Sequence, residues 1–112
     1  MNPLIVSGAI SFFTNLFLGL IQNAADAMPD GGKLTLSTRV IDGQLDLTVS
    51  DTGAGIPHEI LPKIFDPFVT TKSQGTGLGL ATVHSIIRAH RGTIHVASQP
   101  NHGTTFTVRL PL

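Results

Sequence analysis

The hydrophobic positions of this chain follow two periods, helical and alternating. A helix is expected from about Ile10 to Met28, stopped by Pro29-Asp30-Gly31-Gly32, a cluster of strong breakers. Before it, Pro3 to Ser7 reads as a short strand ended by Gly8. Lys33 to Val40 alternates, with Leu34, Leu36 and Val40 on one face, and Leu45, Leu47 and Val49 repeat the pattern. Asp42-Gly43 between the two runs signals a hairpin. Asp51 to Pro57 reads as a rigid turn, His58 to Lys63 as one helical turn, and Asp66 to Thr76 as a loop. A second helix opens near Gly77 or Leu78, with Leu80, Val83, Ile86 and Ile87 at helical spacing. Gly92, after Arg91, is expected as the left-handed residue that ends it. Ile94 and Val96, then Phe106, Val108 and Leu110, predict two more strands joined by Gln99-Pro100-Asn101-His102-Gly103. The order helix, two strands, loop, helix, two strands suggests an α+β fold. It would be a two-layer α/β sandwich whose mixed, mostly antiparallel sheet carries the helices on one face.

The first helix raises a question of solvent. Pro3 to Ile21 is mostly apolar and no charged residue precedes Asp26, close to the roughly 20 apolar residues that span a bilayer. A secretory signal would need a positive start, which is missing. At about 100° per residue, Ser11, Asn15, Gly19, Gln22, Asn23 and Asp26 gather within roughly 120° of arc, Phe12 being the large apolar residue among them. A spanning helix has no reason to align its polar groups; a core helix with one face on a polar cavity does. The domain itself is therefore read as not membrane-spanning.

Composition narrows the function. The 112 residues make one domain, and 41% hydrophobic residues suffice for a modest core. Seven basic residues balance seven acidic ones, which argues against a broad basic surface for nucleic acid. With no cysteine, disulfides, thiolate metal sites and cysteine nucleophiles are excluded. Trp and Tyr are absent too, so base stacking would rest on Phe and His.

Three segments carry candidate chemistry. Asn23-Ala24-Ala25-Asp26-Ala27 lies on the polar stripe of the first helix, and an Asn carbonyl oxygen is a hard neutral ligand suited to magnesium. A solvated stripe would look the same. Asp51-x-Gly53-x-Gly55 ends a strand. An ionised carboxylate only accepts hydrogen bonds, so a fixed Asp51 selects a donor such as the amino group of adenine. The plainer alternative is that Asp51 caps a turn. Gly75-Thr76-Gly77-Leu78-Gly79-Leu80 opens the second helix, where glycine-shaped backbone and the helix N-terminus together suit phosphate. Its spacing is neither the dinucleotide fingerprint nor a P-loop.

Taken in order, these segments resemble the ATP-binding catalytic domain of sensor histidine kinases. That superfamily also includes ATPase domains of type II topoisomerases, mismatch-repair proteins and heat-shock chaperones. The likeness covers about Leu16 to Pro111. Leu20 to Ala27 looks like the N box, Asp51 to Ile56 like the G1 box, and Ile64 to Lys72 like the F box of an ATP lid. Gly75 to Ala81 looks like the G2 box, and Gly103 to Val108 like the closing strand. The resemblance implies that Asn23 binds Mg2+ beside Asp26, and that Asp51 takes adenine's amino group with support from Thr104. It implies that Gly53, Gly55 and Ile56 shape the adenine pocket, that Lys72 reaches the terminal phosphates, and that Gly75, Thr76, Gly77, Leu78, Gly79 and Leu80 wrap them. Phe65 and Phe68 would anchor the lid or simply pack in the core.

The chain departs from the superfamily in one turn of the first helix. Its ATPase branches carry a water-activating Glu four residues before the magnesium Asn, and many kinases carry Asn there; here the position is Gly19. That disfavours water activation and puts a second metal contact in doubt. Phosphoryl transfer, dominated by positioning and electrostatics, is less affected. Around Ala9 to Thr14 the chain is also more hydrophobic than the family pattern. His58-Glu59-Ile60-Leu61-Pro62 has the wrong spacing and the wrong place for a phosphoacceptor, and no His pair predicts a metal site.

The resulting expectation is one ATP-binding domain over residues 1–112, a fragment of a larger cytoplasmic or membrane-anchored sensor kinase. It would use ATP and Mg2+ to phosphorylate a histidine on a separate dimerisation domain, with a response regulator downstream. The alternatives are an ATP-driven conformational switch, which Gly19 and the short lid disfavour, and a partner-binding module with little turnover.

Overall fold

The computed structural model describes residues 3–66 and 78–111, with side chains from Thr14 onward in the first helix and from Leu80 onward in the second. Two helices, one short 3-10 turn and four strands follow in the order α1 (Pro3–Asp26), β1 (Leu34–Ile41), β2 (Gln44–Asp51), the 3-10 turn (Leu61–Lys63), α2 (Leu78–Ala89), β3 (Thr93–Ser98) and β4 (Thr104–Pro111). The sheet order is β1-β2-β4-β3, and each of its three pairings is antiparallel. The mixed sheet expected from the pattern thus reduces, among the described strands, to two hairpins laid side by side.

The first hairpin turns at Asp42 (φ 53°) and Gly43 (φ 77°). Positive φ at both central residues is the two-residue turn whose twist matches the flanking strands. Pairing then runs in strict register from Ile41↔Gln44 to Leu34↔Asp51, which sets Asp51 at the far end of β2. The two faces of the sheet differ sharply in chemistry. On the outer face, the Ser50 and Thr105 hydroxyls share a hydrogen bond of 2.8 Å and Arg109 Nε donates to Asp46 Oδ1 at 3.2 Å. The inner face supplies Leu47, Val49, Phe106, Val108 and Leu110 to the core, against Leu16 and Leu20 of α1, Val83 and Ile87 of α2, and Ile64. Phe65 packs on the edge of this core. Its ring stacks on His84 at 5.0 Å and meets Phe106 edge-on at 6.5 Å.

Two local expectations are corrected. Pro3 to Ser7 is helical and belongs to α1, not to a strand. A short apolar run does not distinguish strand from buried helix, and Pro3 at the first helical position starts a helix readily because its fixed φ suits the first turn. At the end of α2 the left-handed residue is Arg91 (φ 62°), not Gly92. The N–H of Gly92 bonds to the Ile87 carbonyl at 2.9 Å and that of Arg91 to the Arg88 carbonyl at 3.0 Å, the paired bonds of a Schellman motif with Gly92 one place further out. Gly92 is required there for space. A Cβ would lie 2.6 Å from Leu110 Cδ2 and 2.7 Å from the Arg109 carbonyl oxygen.

The polar stripe of α1 behaves as its wheel predicts over the described side chains. Leu16, Leu20 and Ala24 are buried, Asn15, Gln22 and Asp26 are exposed, and Gly19 and Asn23 lie between. Among the described residues no helix is long and apolar enough to cross a membrane.

Candidate functional site

The site forms where α1, β2 and the β3–β4 hairpin end together. Asp51, the last residue of β2, is 6% exposed and pairs across the sheet with Thr104, itself 4% exposed. The main chain after Asp51 folds back, and the Gly53 N–H donates to Asp51 Oδ1 at 2.8 Å. The two readings of Asp51 are therefore compatible: one oxygen caps the turn, and Oδ2 has no protein partner. No buried side-chain oxygen lacks a hydrogen bond among the described residues, so Oδ2 keeps contact with solvent and is open to an incoming donor. The fixed Oδ1 prevents the carboxylate from rotating, and a held acceptor discriminates better than a free one.

Two glycines let this loop lie flat between its neighbours. The Ala54 N–H donates to the Ala27 carbonyl at 3.1 Å, tying the loop to the end of α1. At Gly53 a Cβ would collide with the Ala27 carbonyl oxygen and lie 2.9 Å from Ala27 Cβ. On the other side the Asn101 N–H donates to the Ala54 carbonyl at 2.6 Å. Gly55 (φ 74°) passes so close to the β3–β4 turn that a Cβ would sit 2.7 Å from the Gln99 carbonyl carbon. Only glycine satisfies both the left-handed backbone and that approach.

Ser98, which the sequence does not single out, holds the floor of the site. Its Oγ accepts from the Ile56 N–H at 2.8 Å, donates to the Gly103 carbonyl at 3.1 Å and lies 2.8 Å from Thr104 Oγ1. A hydroxyl has one proton and two lone pairs. With its proton on Gly103, Ser98 accepts from both Ile56 and the Thr104 hydroxyl. Thr104 is thereby oriented with its lone pairs turned away from Ser98, beside Asp51. Nothing in the local pattern of Thr93 to Ser98 marks this role, because it depends on a partner 42 residues away.

The remaining predicted residues divide by position. Asn23 is half-buried near the end of α1, and its side-chain amide makes no hydrogen bond among the described residues. Asp26, one turn on, accepts from Gln22 Nε2 at 3.2 Å and is exposed. Leu78, Gly79 and Leu80 form the first turn of α2, and Leu80 packs against the core. The first N–H groups of a helix have no partner within it and form a favourable anion site. Lys72, Gly75, Thr76 and Gly77, and also Phe68, lie outside the described residues. His58 is exposed, and no group of three His, Asp or Glu side chains among the described residues could hold a metal.

A strand-end carboxylate, a glycine loop docked on a polar helix, and a second helix are carried by an α/β sandwich. Comparison with known proteins agrees. Residues 8–112 match the family described as histidine kinase-, DNA gyrase B- and HSP90-like ATPases, and the chain belongs to that family. It is 41% identical over 110 residues to sporulation kinase A of Bacillus subtilis, covering 98% of this chain and 18% of that protein. It is 46% identical over 98 residues to the signal transduction histidine-protein kinase AtoS of Escherichia coli, covering 87% of this chain and 16% of that protein. The chain thus spans less than a fifth of the length of these relatives. Among solved structures, a mycobacterial sensor histidine kinase, MprB, superposes with a TM-score of 0.79 at 34% identity, over 90% of this chain and 70% of that one. Full-length ShkA in complex with AMPPNP superposes with the same score at 31% identity, over 89% of this chain and 21% of that one.

Proposed function

We propose that the chain binds Mg-ATP and donates its γ-phosphate to a histidine on a separate helical domain, as the catalytic part of a two-component sensor kinase. The observation that carries this reading is Asp51: buried, clamped by Gly53 through one oxygen, and open through the other. Adenine's amino group would donate to Oδ2, and Thr104 would support the contact through its hydroxyl. The half-buried, unpartnered Asn23 amide suits a magnesium ion, which is content with one protein ligand and several waters and phosphate oxygens. That ion would neutralise charge between the phosphates. The first turn of α2, with the glycine run before it and Lys72, would hold the phosphates themselves.

Gly19 offers no side chain to activate water at the position where the ATPase branches of the superfamily carry Glu. The chemistry would then be completed by an acceptor held in line by another domain, with proximity supplying much of the rate. The sensor-kinase names of the relatives support this reading over a switch that hydrolyses ATP, and the AMPPNP complex of ShkA supports nucleotide binding.

Calorimetry on Asp51→Asn tests the site. The amide can turn a donor toward a donor, so ATP affinity should weaken by about 1–3 kcal/mol. Equal affinity of variant and wild type would remove Asp51 from the site. Incubation with γ-labelled ATP tests the transfer. The chain alone should accumulate no base-stable, acid-labile label, and adding a helical phosphoacceptor domain should place label on that domain. Label on this chain alone, lost in His58→Gln, would overturn the assignment.

A further inference from the structure

Charge is divided along this chain in a way its neutral total conceals. Through residue 66 there are seven acidic residues against Lys33, Arg39 and Lys63. Beyond Asp66 there is no acidic residue, while Lys72, Arg88, Arg91, Arg109 and four of the five histidines follow. Arg109 is paired with Asp46 on the outer face of the sheet. Arg88 and Arg91 are exposed, and neither guanidinium has a hydrogen-bond or ion-pair partner among the described residues.

Both arginines line one open cleft of about 390 Å³ at the C-terminal end of α2, together with His84, Ile87, Thr93 and Ile94. Ile87 is fully buried beneath it and Ile94 half-buried, so an apolar floor lies below a cationic rim. The wall is fixed by the stack of His84 on Phe65. The cleft is remote from the nucleotide site. Thr93 and Ser98 are opposite ends of β3, about 17 Å apart at the rise of a strand.

Arg91 carries the second observation. Three non-glycine residues among those described have positive φ: Asp42, Asn101 and Arg91. Asp and Asn tolerate this region through their short polar side chains, whereas Arg gains nothing there and Gly is the ordinary occupant of a helix-ending left-handed position. Backbone strain retained at one residue points to a use for its side chain.

We propose that this cleft docks an acidic segment of a partner protein, with carboxylates on the Arg88 and Arg91 guanidiniums and one aliphatic side chain on the Ile87–Ile94 floor. Two free guanidiniums present flat forks that match carboxylates two at a time. A nucleic acid would need a broader basic surface, and a small free anion would need enclosed donors instead of exposed guanidiniums over an apolar floor. The site is separate from the nucleotide reading and does not depend on it.

The test uses the 112-residue chain and a fluorescein-labelled peptide, Glu-Leu-Asp-Glu-Leu-Glu, followed by anisotropy. Its counterpart with Gln and Asn in place of the acids serves as control. The acidic peptide should bind at least about tenfold tighter than the control, and about 0.5 M NaCl should weaken it strongly. The double variant Arg88→Glu, Arg91→Glu should lose this binding while keeping the far-UV circular dichroism and cooperative melt of the wild type, which show that it folds. Arg91→Gly should weaken the peptide yet raise the melting temperature, because glycine relieves the left-handed strain; a purely structural arginine would not separate the two. Any of four results overturns the proposal: no binding of the acidic peptide at millimolar concentration, equal binding of the two peptides, equal competition by inorganic phosphate, or a dimer of this chain that the double variant dissolves. The last would make the acidic partner a second copy.

Discussion

In β4, Phe106, Val108 and Leu110 are 1%, 0% and 4% exposed, whereas in β1 Leu36 and Val40 are 48% and 64% exposed. The two strands share eight residues of length and the same apolar alternation, and they lie in the same cross-strand rows. Leu36 pairs with Val49, which pairs with Phe106; Val40 pairs with Leu45, which pairs with Leu110. Each row therefore starts in the core and ends at the edge of the sheet. The helices account for the difference. α1 lies mainly against α2 and β2, and α2 against β3, so among the described residues their apolar faces cover the sheet from β2 to β3 and leave β1 the least covered. An alternating pattern states that a strand has an apolar face. It does not state that anything will cover that face.

The largest expected break in this comparison is Phe106→Ala. A fully buried aromatic leaves a cavity, and the loss should be about 3–5 kcal/mol in a denaturant melt, with Leu36→Ala on the same row costing under about 1 kcal/mol. Equal losses would mean that β1 is covered in solution. A middle-sized effect is expected at the site end of β3. Ser98→Ala removes the acceptor for the Ile56 N–H and the support of Thr104, and should cost about 1–3 kcal/mol of stability. ATP affinity should fall with it, because Asp51 and Thr104 share that end of the sheet; unchanged ATP affinity would separate the Ser98 network from the nucleotide site. The smallest effect sharpens the comparison from the exposed side. Val40→Thr keeps a β-branched side chain on the edge strand and should change stability by no more than about 0.5 kcal/mol. A marked loss on melting would contradict the exposed state of β1.

The site was more legible in the sequence than its supports. Asp51, Gly53 and Gly55 could be read as a carboxylate with glycines because their chemistry is written in adjacent residues, and the structure brings them against Ala27 and Gln99 as a close-packed loop. Thr104 is implied by the family likeness and lies beside Asp51 in register. Ser98 is not legible in the sequence, since a serine at a strand end looks ordinary until Ile56, Gly103 and Thr104 are in place around it. The end of α2 departs from its sequence pattern in a different way. Gly92 fits the usual left-handed terminus, and only the packing of Leu110 and Arg109 against it shows that the glycine is needed for room and that Arg91 takes the strained backbone.

By itself, then, the sequence determined the periods of both helices and of the four described strands, the hairpin turn at Asp42-Gly43, and the carboxylate-and-glycine pattern that resembles the family. These depend on neighbours a few positions away, where sterics and hydrogen-bonding capacity act directly. The tertiary structure decided that Pro3 to Ser7 continues α1, that β1 leaves its apolar face open, and that Ser98 joins Ile56, Gly103 and Thr104. It also decided that two unpaired arginines flank one cleft at the far end of β3. Burial and pairing across tens of residues depend on which element lies over which, and no local pattern encodes that.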